Sequence, residues 1–89
     1  MVQFLFGILV LLTFSLSAHA KKSCTDLPKD QWMSEEAFIK RVESQGYKVR
    51  KFKQPGTCYE IYGTRSDGKE VEIYFNPTNG NIVKEKVED

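Results

Sequence analysis

The first 20 residues of the 89-residue chain differ in kind from the 69 that follow, which limits the size of any folded domain. This first stretch is almost wholly apolar, and every Lys, Arg, Asp and Glu follows it. It ends with small residues at Ala18 and Ala20, the two positions that a signal peptidase reads. A membrane-spanning helix needs about 20 apolar residues, and this run has roughly 15. We therefore expect a signal peptide over residues 1–20, cleaved near Ala20, and a periplasmic or secreted mature protein; an uncleaved membrane anchor is the alternative.

Both cysteines, Cys24 and Cys58, lie in the part of the chain that cleavage would leave. A domain of this size builds only a small core, and exported domains of this kind often carry a disulfide. We expect Cys24 and Cys58 to pair, which would stabilise the fold by about 3–4 kcal/mol on the chain-entropy estimate. Two free thiols are the alternative. The sequence has no CxxC spacing, so it does not indicate a redox role.

The mature part begins with an irregular lead-in over residues 21–33, followed by a periodic domain over residues 34–87. Ser34 has the character of a helix N-cap, and Phe38 and Val42 form an apolar stripe at helical spacing. Gly46 can end the helix in a left-handed conformation. These signals predict one helix over 34–45.

Alternating apolar and polar residues after Gly46 predict four strands, joined mostly by tight turns. The predicted strands cover 47–53, 58–64, 69–75 and a short last stretch, 81–85, with a frayed charged tail behind it. The first strand loses its alternation at Phe52, which predicts a bulge or a strand end near Lys51. Burial of Ile61 opposite Ile73 fixes the central register. The fold class is therefore α+β, with one N-terminal helix packed on a four-stranded antiparallel sheet.

The predicted register leaves two tyrosines and several glutamates together on the sheet face away from the helix. Exposed tyrosines are common where proteins bind proteins, so this face is the candidate binding face. The alternative is a solvated strand face on which the tyrosines only cover the sheet. The candidate residues are Glu60, Tyr62, Glu72 and Tyr74, with Glu70 beside them.

The composition excludes several kinds of chemistry. The only histidine is His19, inside the expected signal peptide, so the mature part lacks Ser–His, Cys–His and histidine–metal sites. The sequence has no glycine-rich phosphate loop between a strand and a helix. Its net charge of +1 does not favour nucleic acid or a membrane surface as a partner. We expect no catalytic residues, no metal site and no cofactor, and we expect a monomer that leaves the membrane after cleavage.

The mature part resembles the small, exported bacterial PepSY domain proteins from about Trp32 to Val87. The resemblance is carried by the segments 32–38, 46–52, 58–64 and 67–80, the last of which includes Asn-Pro-Thr-Asn-Gly at 76–80. It implies a helix packed on an antiparallel sheet, like half of a beta-lactamase-inhibitor-type repeat. PepSY domains also occur in the propeptides of thermolysin-like metallopeptidases, and the family has no catalytic residues.

The sequence and the resemblance together favour a non-enzymatic periplasmic module that binds a protein or peptide and restrains a peptidase. A small-ligand or divalent-cation binding domain is the alternative, acting through Glu60, Glu70 and Glu72 on the same face.

Overall fold

The computed structural model describes residues 22–88, so the expected signal peptide lies outside the described residues. The helix α1 (Glu35–Ser44) is followed by four strands. All neighbouring strands pair antiparallel, in the order β1-β2-β3-β4. This arrangement confirms the predicted fold class. The strands are β1 (Lys48–Lys53), β2 (Tyr59–Thr64), β3 (Glu70–Phe75) and β4 (Ile82–Glu88).

Helix α1 begins and ends where its local signals predict, within one residue. The Ser34 hydroxyl accepts a hydrogen bond of 3.1 Å from the Ala37 amide, which satisfies one free donor of the first turn. Gly46 has a φ of 99°, the left-handed conformation that glycine adopts after a helix. Phe38 and Val42 are fully buried, so the predicted apolar stripe is the face that packs on the sheet.

The pairing of β2 with β3 follows the predicted register, with Ile61 opposite Ile73. Both side chains are fully buried beneath α1 together with Phe75, so this side of the sheet carries the core. The register between β1 and β2 shifts between Val49 and Lys51 and β1 continues to Lys53, so of the two predicted alternatives the structure has the bulge and not the strand end.

The last strand is longer than the sequence indicates, and the prediction of a frayed tail is wrong for the described residues. Lys86, Val87 and Glu88 continue β4 and lie opposite the first three residues of β3. Backbone hydrogen bonding to β3 does not depend on apolar side chains, and an exposed edge strand tolerates charged ones. All of β4 is accordingly exposed.

The lead-in is attached to the sheet by a disulfide and by backbone contacts. Cys24 and Cys58 are bonded, with their Cα atoms 5.0 Å apart, which confirms the predicted pair. Thr57 lies next to this bond: its hydroxyl accepts from the Cys24 amide at 2.9 Å, and its own amide donates to the Lys22 carbonyl. A Cβ on Gly56 would lie 2.1 Å from that same carbonyl, so the lead-in and the turn before β2 meet backbone to backbone.

The end of the lead-in covers the core beside α1. The Trp32 ring packs edge-on against Tyr59 at 5.7 Å between ring centroids, and its indole donates to the Leu27 carbonyl. The Tyr59 hydroxyl donates to the Met33 carbonyl. Within residues 22–88, no helix is long and apolar enough to cross a membrane.

Candidate functional site

The outer face of the sheet, meaning the face opposite α1, is organised as two rows that cross all four strands. Residues that lie directly opposite each other in a sheet share a face, so the strand registers define each row. Each row has a lysine at both ends and a glutamate beside a tyrosine in the middle. The first row is Lys53, Glu60, Tyr74 and Lys84, and the second row is Lys51, Tyr62, Glu72 and Lys86.

The four central residues alternate between glutamate and tyrosine, both along each strand and across the pair of strands. Glu60 is opposite Tyr74, and Tyr62 is opposite Glu72, so the two carboxyl groups are diagonal neighbours. One oxygen of Glu72, Oε2, accepts hydrogen bonds from the Tyr62 hydroxyl at 3.0 Å and from the Tyr74 hydroxyl at 3.2 Å. The structure thus brings together all four residues of the candidate binding face, with Glu72 bonded to both tyrosines.

Glu60 lies on the predicted face, but it is only 3% exposed, so the alternative of a solvated strand face does not hold at this position. Cys58, two residues before Glu60 on the same face, is bonded to the lead-in, and Tyr62 and Tyr74 lie on its other sides. The Oε2 atom of Glu60 is buried and accepts no hydrogen bond.

The buried carboxyl of Glu60 favours its neutral form. Burial raises the pKa of Glu60, and a hydrogen bond with Glu72 raises it further, because the protonated acid can donate to the neighbouring carboxylate. The same hydrogen bond from Glu60 lowers the pKa of Glu72, and the two tyrosines and Lys86 also stabilise that carboxylate. Within the pair, a proton therefore binds more readily to Glu60 than to Glu72.

The tyrosines act as neutral donors at any ordinary pH. Burial and the nearby carboxyl groups of Glu60 and Glu72 raise the pKa of Tyr74 to about 12. Both rings are half-buried rather than exposed, because neighbouring side chains lie against them. The sequence expectation of exposed tyrosines is therefore only partly met.

Lysines lie over both tyrosine rings. Lys51 and Lys53 each place their ammonium group over Tyr62, at 5.5 and 5.6 Å from the ring centroid. Lys22 of the lead-in lies over Tyr74 at 4.9 Å. These distances are within the range of cation–π attraction. Among residues 22–88, no ion pair connects any lysine of the two rows, or Lys22, to a carboxylate.

A small cleft of about 80 Å³ opens beside Tyr74, where the lead-in meets β4. Its walls combine the disulfide with Val83 and with two lysines, Lys22 and Lys84. A bound segment could place a side chain here, between apolar walls and positive charge.

The neighbouring end of the outer face does not build a cation site. Glu70 lies opposite Glu88 and makes an exposed ion pair with Arg50 at 3.8 Å. No group of three or more His, Cys, Asp or Glu side chains within residues 22–88 is arranged to hold a metal ion. The described part of the chain therefore gives no geometric support to the cation-binding alternative.

The sequence places the central four residues on this face but does not place the lysines at the ends of the rows there. Lys51 and Lys53 face outward together only because of the bulge in β1, and Lys86 joins the second row only because β4 continues past the predicted end. The break in alternation near Lys51 is the one local signal that could have placed Lys51 and Lys53 on the outer face.

Comparison with known proteins identifies a family. The family model described as peptidase propeptide and YPEB domain, of the PepSY group, matches residues 4–86 of the 89-residue chain. Searches of curated proteins and of solved structures found no match.

Proposed function

The chain belongs to the PepSY family of peptidase propeptide and YPEB domains, and from this premise we propose that it is a non-enzymatic binding module that restrains a peptidase. Propeptides accompany peptidases, so the family points to a protein or peptide as the partner. We further propose that the mature chain acts in the periplasm or outside the cell.

The observation that carries this proposal is the two-row arrangement of the outer face. It presents two half-buried tyrosines, Tyr62 and Tyr74, held in place by hydrogen bonds to Glu72. Aromatic rings held rigidly by their neighbours bind a partner at little cost in conformational entropy. The opposite face is occupied by α1, which leaves the outer face as the broad sheet surface open to a partner.

The chemistry of residues 22–88 supports a binding role over a catalytic one. Both cysteines are in the disulfide, and this part of the sequence contains no histidine. The carboxyl group of Glu60, whose pKa is raised by burial, lies beneath its neighbours rather than in a cleft that could admit a substrate.

The test is affinity capture from periplasmic and culture fractions of the source organism, followed by a peptidase assay of the captured protein. We expect the wild-type protein to capture a peptidase and to reduce its activity when added in excess. A Tyr62→Ala/Tyr74→Ala variant should lose both effects while keeping its circular dichroism spectrum.

A Leu27→Ala/Val87→Ala variant is the matched control, because both side chains are exposed and apolar but lie outside the two rows. It should capture the same peptidase as the wild type. Equal capture by the tyrosine variant, or capture of proteins without peptidase activity, would contradict the proposal.

A further inference from the structure

We propose that the outer face binds an acidic polypeptide segment, and that this binding is tightest while the buried carboxyl group of Glu60 carries no charge. The inference rests on the proposed function and names the chemistry of the partner that the face would accept. It depends on two features of the face, its ring of lysines and its buried carboxyl group.

The first feature is the charge around the two tyrosines. Both rows end in lysines, and Lys22 reaches the same surface from the lead-in. Five ammonium groups therefore surround the two carboxyl groups of Glu60 and Glu72. Because none of the five is in an ion pair with a carboxylate of residues 22–88, their charge is available to a partner. An acidic segment complements this surface, whereas a basic one would be repelled.

The second feature is the position of Glu60 beneath this positive surface. Its Oε2 atom is buried without a hydrogen-bond donor. Lys53 lies directly opposite Glu60 on β1, but its ammonium group lies over the Tyr62 ring and forms no ion pair with Glu60. A carboxylate left in this way would be costly, whereas a neutral acid that donates to Glu72 is not. Loss of the proton would add a negative charge in the middle of the face.

Charged and titratable groups face Glu60 from every element around it. The net charge of these groups is positive, so an approaching acidic segment is attracted most when Glu60 is neutral. They are Lys22 from the lead-in, Lys51 and Lys53 from β1, Tyr62 from β2, Glu72 and Tyr74 from β3, and Lys84 and Lys86 from β4.

The experiment titrates the purified protein with three fluorescent peptides of equal length, rich in Glu, in Lys or in Gln. Fluorescence anisotropy should give at least tenfold tighter binding of the Glu-rich peptide, and this binding should weaken strongly between about 20 mM and about 300 mM NaCl. Lys51→Gln/Lys53→Gln should weaken it at least tenfold. The control Lys29→Gln/Lys40→Gln removes the same charge from exposed lysines outside the two rows and should change affinity by less than about twofold.

The role of the proton is tested by repeating the titration between about pH 5 and about pH 8. Wild-type affinity should fall by about fivefold as Glu60 ionises, the effect of one added charge at a partly screened distance. Glu60→Gln keeps a neutral donor toward Glu72 and should retain tight binding over the whole range. If Glu60→Gln does not fold, a ¹³C titration of the wild-type Glu60 carboxyl, with and without the peptide, gives the same information, because binding should raise its pKa.

Equal binding of the three peptides, or no binding of any, would overturn the inference. A wild-type affinity that does not change with pH would overturn the role of the proton. The proposed function is tested separately, since a peptidase captured through Tyr62 and Tyr74 by a segment that is not acidic would refute this inference and leave that function standing.

Discussion

Glu60 and Glu72 are diagonal neighbours on adjacent strands, yet only Glu72 accepts hydrogen bonds from the tyrosines beside them. The two carboxyl groups therefore differ in the protonation state that their surroundings favour. Glu72 is stabilised as a carboxylate, and the buried Glu60 is stabilised as the neutral acid. The outer face therefore contains a titratable group whose charge depends on its neighbours.

The pair makes a prediction about stability and pH. The pKa of Glu60 is raised in the folded protein above its ordinary value of 4.5, so the folded state binds this proton more tightly than the unfolded state does. The contribution of this proton to the free energy of unfolding is complete below pH 4.5 and is lost as the pH rises through the pKa of Glu60 in the folded protein. Wild type should therefore lose free energy of unfolding relative to Glu60→Gln as the pH rises above 4.5, with a slope of at most about 1.4 kcal/mol per pH unit.

Urea unfolding of both proteins at a series of pH values measures this difference. Glu72 has a lowered pKa, so its contribution is present above 4.5 and is lost as the pH falls. Above pH 4.5 Glu72 is ionised in both proteins, so its contribution cancels when wild type is compared with Glu60→Gln. Parallel stability curves for the two proteins above this value would contradict the account.

The tyrosines should control the ionisation of Glu72. Tyr74→Phe removes one of the two hydroxyls that donate to Glu72 Oε2, and the double change Tyr62→Phe/Tyr74→Phe removes both. Because hydrogen bonds to a carboxylate favour its charged form, each removal should raise the pKa of Glu72. A ¹³C titration of the glutamate carboxyl groups measures it. Tyr47→Phe is the control, since Tyr47 lies outside the outer face, and a Glu72 pKa unmoved by the double change would refute the role assigned to the tyrosines.

The disulfide should hold the lead-in on the sheet. Cys24→Ser/Cys58→Ser should lower the free energy of unfolding by about 3–4 kcal/mol, because the unfolded chain gains the entropy of an open loop. The freed lead-in carries Trp32, which packs on Tyr59, so tryptophan fluorescence should shift toward that of an exposed indole. Reductant should lower the melting temperature of the wild type but not that of the double variant. A wild-type melt that ignores reductant would contradict this account of the lead-in.

Two glycines provide a matched test of the contact between the lead-in and the turn before β2. Gly56 and Gly68 both have a positive φ, 58° and 87°, so an alanine at either is strained. Only at Gly56 would the new Cβ also meet backbone, 2.1 Å from the Lys22 carbonyl, whereas at Gly68 nothing lies within 4 Å. Gly56→Ala should therefore destabilise by about 1–3 kcal/mol more than Gly68→Ala. Equal losses in chemical unfolding would show that the lead-in does not approach this turn.

Local sequence patterns predict much of the fold, because side chains in a helix and in a strand repeat with fixed periods. The cap at Ser34, the stripe of Phe38 and Val42 and the pairing of Ile61 with Ile73 all follow from the two periods of regular backbone. These patterns also place Glu60, Tyr62, Glu72 and Tyr74 on one face.

The parts that sequence reasoning misses depend on contacts between distant segments. Glu60 reads as a solvated position because its alternation is correct, and its burial beside the Cys58 disulfide and two tyrosines comes from tertiary packing. The residues at the end of β4 lack an apolar alternation, so only their pairing with β3 makes them a strand. The lysine at the end of the second row on that side, Lys86, was missed for this reason.

The most direct test of a binding face with this charge is amide chemical-shift mapping of the ¹⁵N-labelled protein with the Glu-rich peptide at low salt. The account predicts that the largest shifts fall on the two rows, around Tyr62, Glu72 and Tyr74, and on Lys22 of the lead-in. Shifts centred on α1 or on the exposed apolar residues of β4, Ile82 and Val87, would contradict it.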